Sequence, residues 1–203
     1  MKARRAALVS LLLLIGVIAA TVTAVPYVES LAAKRVLEHI KTLRPGISTD
    51  ADVNSLIAES RTSRQWKEEE SGGGTRRLTF RVENPSLYRL FLAPRTTFVA
   101  GVNLREGVVE QSDILISSRW ALHGPGVSVA NVSERIYPLF VSSDDGERMT
   151  VHLTREETEQ QRACAFDLNV ACLYRWGGCA HAKDIAPCFP QLASEMSLGS
   201  SKN

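Results

Sequence analysis

Leu78-Thr79-Phe80-Arg81-Val82-Glu83 alternates apolar and polar residues without a break. Successive side chains of a strand point to opposite faces, so this period of two predicts a β-strand with one buried and one solvated face. The same signal continues downstream. Asn84-Pro85-Ser86 makes a turn, and strands follow over 87–92 and 97–104, separated by Ala93-Pro94-Arg95. Arg105-Glu106-Gly107 is a tight turn into Val108-Val109 and Ile114-Leu115-Ile116, and after Gly124-Pro125-Gly126 come Val127, Val129 and Val132. Segments 137–141 and 149–153 flank Ser143-Asp144-Asp145-Gly146, a hairpin signal with Asp-Gly in the turn. Six or seven short strands in succession predict an antiparallel sheet over 77–153.

Upstream of the strands the period is helical. Val28, Leu31, Ala32, Val36, Ile40 and Leu43 recur at three- and four-residue steps, and Arg44-Pro45-Gly46 ends that helix. Thr49 with Asp52 fits a capping box that opens a second helix, whose buried stripe is Val53, Leu56 and Ile57. Gly46 followed by Ser48-Thr49, Asp52-Val53 and Leu56 resembles the first helix of small outer-membrane assembly lipoproteins of the SmpA/OmlA type. The likeness spans about a dozen residues of ordinary helix-start chemistry. The lipid-carrying cysteine of that family has no counterpart here, so no function is carried over. Residues 61–76, with no apolar period and with Gly72-Gly73-Gly74, read as a flexible loop.

The remaining chain places the protein. Lys2, Arg4 and Arg5 precede residues 6–25, which carry no charge. As a helix that run is about 30 Å long, enough to cross a hydrocarbon core. The basic leader holds its own side in the cytoplasm and sends the rest across. The length favours an uncleaved anchor in residues 1–25; the alternative is a signal peptide cut after Val22-Thr23-Ala24, where residues are small. All four cysteines lie between residues 164 and 188, an even number clustered as in a local disulfide framework of an oxidising compartment.

Four cysteines allow three pairings. Thr154-Arg155-Glu156-Glu157 is a capping-box pattern that predicts one helix over 155–175, stopped by Gly177-Gly178. In such a helix Cys164 and Cys172 stand about 12 Å apart along the axis, beyond the roughly 7 Å that a disulfide spans. That removes Cys164–Cys172 and, with it, Cys179–Cys188. Of the nested and crossed arrangements the nested one, Cys172–Cys179 with Cys164–Cys188, is favoured, because both pairs centre close to the glycine turn.

The expected architecture is therefore α+β: an N-terminal membrane helix and short helices, an antiparallel sheet of six or seven strands, and a C-terminal disulfide-stapled helical hairpin over 154–203. Residues 60–203, with part of the 26–60 helical segment, form one globular domain. The strict order of helices, strands and helix excludes a doubly wound parallel sheet, which needs alternation.

With 24 Lys+Arg against 22 Asp+Glu, the net charge of +2 and the absence of a basic block point away from nucleic acid. His39, His123, His152 and His181 show no metal-ligand spacing, and Cys172-x6-Cys179-x-His181 lacks a zinc knuckle. Gly72-Gly73-Gly74 matches no phosphate-binding loop. No cofactor is called for. The expected function is a non-catalytic, membrane-tethered envelope module that binds an envelope protein or ligand outside the cytoplasm, with residues 6–25 in the membrane. Two alternatives stand beside it: a hydrolase built from Ser118, His123 and Asp113, and a structural envelope-assembly factor.

Overall fold

The computed structural model describes residues 2–59, 66–71, 74–84, 88, 94–119, 127–135, 143–144, 148–153, 158–175, 178–179 and 181–188. Its chain order is α1 (Lys2–Ile40), α2 (Asp50–Glu59), β1 (Trp66–Ser71), β2 (Thr75–Glu83), β3 (Arg95–Arg105), β4 (Val108–Arg119), β5 (Val127–Arg135), β6 (Ser143–Asp144), β7 (Arg148–Leu153), α3 (Glu159–Ala165), a 3-10 turn (Val170–Leu173) and α4 (Ala182–Ile185). The class is α+β.

One sheet runs β1-β2-β3-β4-β5-β7-β6. Its β2, β3, β4 and β5 form the antiparallel meander expected from the alternation. The inner face is Leu78, Phe80 and Val82 from β2; Phe98, Ala100, Val102 and Leu104 from β3; Ile114 and Ile116 from β4; and Ala130 and Val132 from β5. Glu106 and Gly107, with φ of 53° and 79°, make the two-residue turn between β3 and β4, whose positive dihedrals match the twist of paired strands. A register shift at Asn103/Leu104 leaves Glu110 unopposed, so Val109 and Ile114 share a face although one number is odd and the other even.

Three expectations change in the sheet and at the C-terminus. Residues 61–76 are not one loop: 66–71 are β1, paired with β2 from Trp66↔Phe80 to Ser71↔Thr75. This edge strand needs no apolar period. Trp66 packs on Phe80 at 5.4 Å between ring centroids, the Arg76 guanidinium pairs with Glu68, and the charged run deters pairing with another chain. The sheet is also mixed, because β5 and β7 are parallel. In the sheet β7 lies between β5 and β6, although β6 precedes it in the chain; alternation along a strand is the same in either direction. The strand expected over 87–92 falls outside the described residues except for Tyr88, which is helical. The segment 137–141 lies outside them altogether.

The third change is at the C-terminus, where the single 155–175 helix does not form. Thr158, rather than Thr154, caps α3: its Oγ1 accepts from the Gln161 amide at 3.2 Å, and Gln161 Oε1 accepts from the Thr158 amide at 2.9 Å. The helix stops at Ala165. Asn169 then starts the 3-10 turn by accepting from the Ala171 amide, while its own amide donates to Ile185 at 2.7 Å. The disulfides are Cys164–Cys188 and Cys172–Cys179, with Cα atoms 5.4 and 5.3 Å apart. This is the nested arrangement, reached through a broken segment instead of a hairpin of two helices. Thr158→Ala removes one cap and is expected to lower stability by about 1 kcal/mol, measured by denaturant unfolding with the disulfides intact.

The helix α1 is continuous through Pro26, merging the two helical segments read separately in the sequence. Its lower half enters the core. Ala32, Ala33, Val36, Leu37 and Ile40 are buried with the inner sheet face, whereas Val28 and Leu31 of the expected stripe are 63% and 38% exposed. At the other end every large apolar side chain from Leu8 to Ile18 is 50–64% exposed, so none of them packs on the domain. Among the residues with described side chains, no helix is long and apolar enough to cross a membrane. The described uncharged stretch, 8–21, is about 21 Å long, the side chains of 2–7, 22, 23, 25 and 26 being outside that set.

Helix α2 opens with half of the expected capping box: the Thr49 amide donates to Asp52 Oδ2 at 2.7 Å, while the Asp52 amide donates to the Thr49 carbonyl rather than to its hydroxyl. Val53 and Leu56 are buried, and Ile57 packs against the same core. Arg162 of α3 ties three elements together. Its Nε donates to both oxygens of Glu134 on β5 at 3.1 and 3.0 Å, and its terminal nitrogens donate to the carbonyls of Lys41 and Leu43 just beyond α1.

Candidate functional site

The outer face of the sheet collects the polar residues. Strand register aligns Thr79, Gly101, Asp113, Ser133 and His152 in one row across β2, β3, β4, β5 and β7. The neighbouring row is Arg77, Asn103, Gln111 and Arg135. Rows two residues apart on one face stand about 7 Å from each other, so these side chains share one patch.

Asp113 lies at its centre. Gly101, directly opposite on β3, makes room for it: a Cβ at residue 101 would sit 2.7 and 2.8 Å from the two carboxylate oxygens. The carboxylate thus rests on bare backbone. Burial pushes the Asp113 carboxyl above its ordinary range, against the pull of Arg77 and Arg135. Gln111 holds the cluster together, accepting from Asn103 at 3.5 Å and donating to Ser133 Oγ at 3.2 Å and to Asp113 Oδ1 at 3.5 Å.

Arg135 Nε and His152 Nδ1 at this patch are buried and have no hydrogen-bond partner among the described residues. Burial, and then the Arg135 charge, hold the His152 imidazole below its ordinary pKa, leaving it neutral at pH 7. A buried donor without an acceptor costs about 1–3 kcal/mol. Such groups mark a place where an additional acceptor or donor would be favourable. The patch can bind a polar group bearing negative charge through Arg77 and Arg135, with Asn103, Gln111 and neutral His152 as further hydrogen-bonding groups.

A folded-state carboxyl pKa above the unfolded one means that the native state binds more protons between the two values, so stability falls as pH rises through that window. Above it Asp113 is a standing cost. Asp113→Asn is therefore expected to raise the midpoint of thermal unfolding at pH 7 and to flatten its acid dependence; a lower midpoint at pH 7 would contradict this reading. Gly101→Ala pushes the carboxylate off its seat, and the side chain rather than the backbone yields.

The other residues singled out in the sequence do not converge. Ser118 and Asp113 lie on opposite faces of β4, about 17 Å apart along the strand. Ser118 is buried with its hydroxyl 3.2 Å from that of Thr96, and His123 is outside the described residues. Ser118 and Asp113 are therefore not brought together. Asp144 is in β6 rather than in the turn, and 145–147 are outside the described residues. Cys172 and Cys179 are bonded to each other and are not thiolate ligands beside His181. Among the described residues no three His, Cys, Asp or Glu gather as a metal site.

Two clefts lie beside α1 among the described residues. One, of about 560 Å³, lies between the end of α1 and α2; its central His39 Nε2 and Glu59 Oε2, 2.6 Å apart, satisfy each other. The second, of about 490 Å³, lies between α1 and residues 167–174. The parity of Arg77, Gln111, Asp113, Arg135 and His152 is visible in the sequence, but their adjacency depends on register and on the parallel β5–β7 pair. Compared with protein-family models, with curated proteins and with solved structures, the chain matches none.

Proposed function

We propose that the protein is a non-catalytic binding module held at a membrane by residues 6–25, with its domain outside the cytoplasm and the outer sheet face as the ligand-binding surface. The observation that carries the reading is that Arg135 Nε and His152 Nδ1, buried beside Asp113, have no hydrogen-bond partner among the described residues. A face evolved only for solvation would leave these groups hydrated or paired. The two disulfides fit an oxidising compartment, and an uncharged helix exposed on every side from Leu8 to Ile18 fits an apolar surrounding. The basic Lys2, Arg4 and Arg5 set the orientation.

Cross-linking of the full chain in its own membranes tests the binding face. Arg135→Ala is expected to weaken capture of the wild-type partner by about tenfold or more, the value of one charge-assisted hydrogen bond. Thermal unfolding should stay near that of the wild type. Equal capture by the two chains would remove the outer face from the account.

A further inference from the structure

We propose that the domain is seated directly on the outer membrane-water interface, with zwitterionic phospholipid headgroups occupying the cleft of about 490 Å³ between α1 and residues 167–174. This rests on the reading of residues 6–25 as an uncleaved anchor.

The rigidity of α1 carries the inference. The helix is unbroken from Lys2 to Ile40, so no linker separates the uncharged segment from the domain. Ala32 and Ala33 are already core residues, 8% and 0% exposed. At 1.5 Å per residue they stand only about 10–12 Å beyond Val25. The headgroup layer on each side of a bilayer is about 5–7 Å thick. Tyr27 and Val28, about 3 and 4.5 Å beyond Val25, fall inside it.

What packs beside Tyr27 shares its height. The Tyr27 and Tyr174 rings meet edge to face with centroids 5.4 Å apart, which fixes the disulfide-bonded segment at the same level. Tyrosine is favoured at headgroup depth because its ring is apolar and its hydroxyl is wet. Tyr27 is 49% exposed, Val28 63% and Leu31 38%, an apolar strip left open where the domain begins. The cleft is lined on one side by Lys34 and on the other by Asp167. One cation and one anion across a cleft match the phosphate and the amine of a zwitterionic headgroup; the Lys34 backbone is about 13.5 Å beyond Val25, so its flexible stem has to reach back toward the membrane to meet a phosphate at the top of the headgroup layer.

The full chain, reconstituted into phosphatidylcholine vesicles containing a phosphatidylethanolamine with a photoactivatable headgroup, provides the test. After a carbonate wash and illumination, peptides covering 27–34 and 167–175 are expected to carry the label and those covering 66–71 to carry none. Label confined to residues before 34 in a chain that survives the wash would overturn the seat and leave the anchor standing. Label spread equally over 66–71 would overturn it as well. A chain removed by the wash would overturn the anchor, and the seat with it.

Discussion

Arg162→Ala is expected to lower the stability of the oxidised domain by about 3–5 kcal/mol, the cost of breaking a buried ion pair from one side. The side chains of Arg162 and Glu134 are 8% and 5% exposed, so little water reaches either. Truncation leaves the Glu134 carboxylate in the interior, with Arg44 Nη1, 3.8 Å from Glu134 Oε1, as a remaining charge among the described residues. It also strips the donors from the carbonyls of Lys41 and Leu43, which follow α1 and are no longer in regular helix. Arg162→Lys should recover only part of the loss, because one ammonium cannot span a carboxylate and two separated carbonyls. Replacing both partners, as in Arg162→Met with Glu134→Leu, should cost far less than the single change, since no charge is then left buried alone. Denaturant unfolding with the disulfides intact gives all three values. A single-variant loss below about 1 kcal/mol would mean that the pair is solvated and does not join the three elements.

Removing the outer disulfide is the second large effect. Cys164→Ala with Cys188→Ala opens a loop with a sequence separation of 24, against 7 for Cys172–Cys179. Loop-closure entropy assigns about 3.5 kcal/mol to the longer bridge and about 2.5 kcal/mol to the shorter. The order matters more than the values. The outer bridge fastens α3, and through it Arg162, to the segment after α4, so its loss should also weaken the ion pair. Unfolding midpoints of the two double variants, compared under oxidising conditions, should therefore rank the 164–188 removal as the more damaging. The reverse order would show that the 172–179 turn holds the C-terminal segment by itself.

These two effects concern the part of the fold least legible in the sequence. The inner face of β2 to β5 follows from alternation at Leu78, Phe80, Val82 and their successors, because burying one face of a strand leaves no other pattern. Helix α2 follows from Thr49 and Asp52. Edge strand β1 does not follow, since Lys67, Glu68 and Glu69 are exposed and its order comes from Trp66 on Phe80 and Glu68 with Arg76. Nor does the break after Ala165, where the Asn169 side chain and the backbone of Ile185 offer hydrogen bonds that compete with a continuing helix. The nested pairing holds without the expected helix: the Asn169 amide donating to Ile185 lays the 3-10 turn beside α4. At the outer face, residue parity was readable, but the row joining Asp113 to His152 requires the parallel placement of β7, for which alternation carries no signal.

Peptide mapping, without reduction, of the chain recovered from carbonate-washed membranes tests directly whether the domain is anchored and disulfide-bonded. The expected result is a peptide that crosses the Ala24–Val25 bond intact, together with Cys164–Cys188 and Cys172–Cys179 as the two linked pairs. A chain beginning at Val25, or four free thiols, would rule out the anchored, oxidised domain.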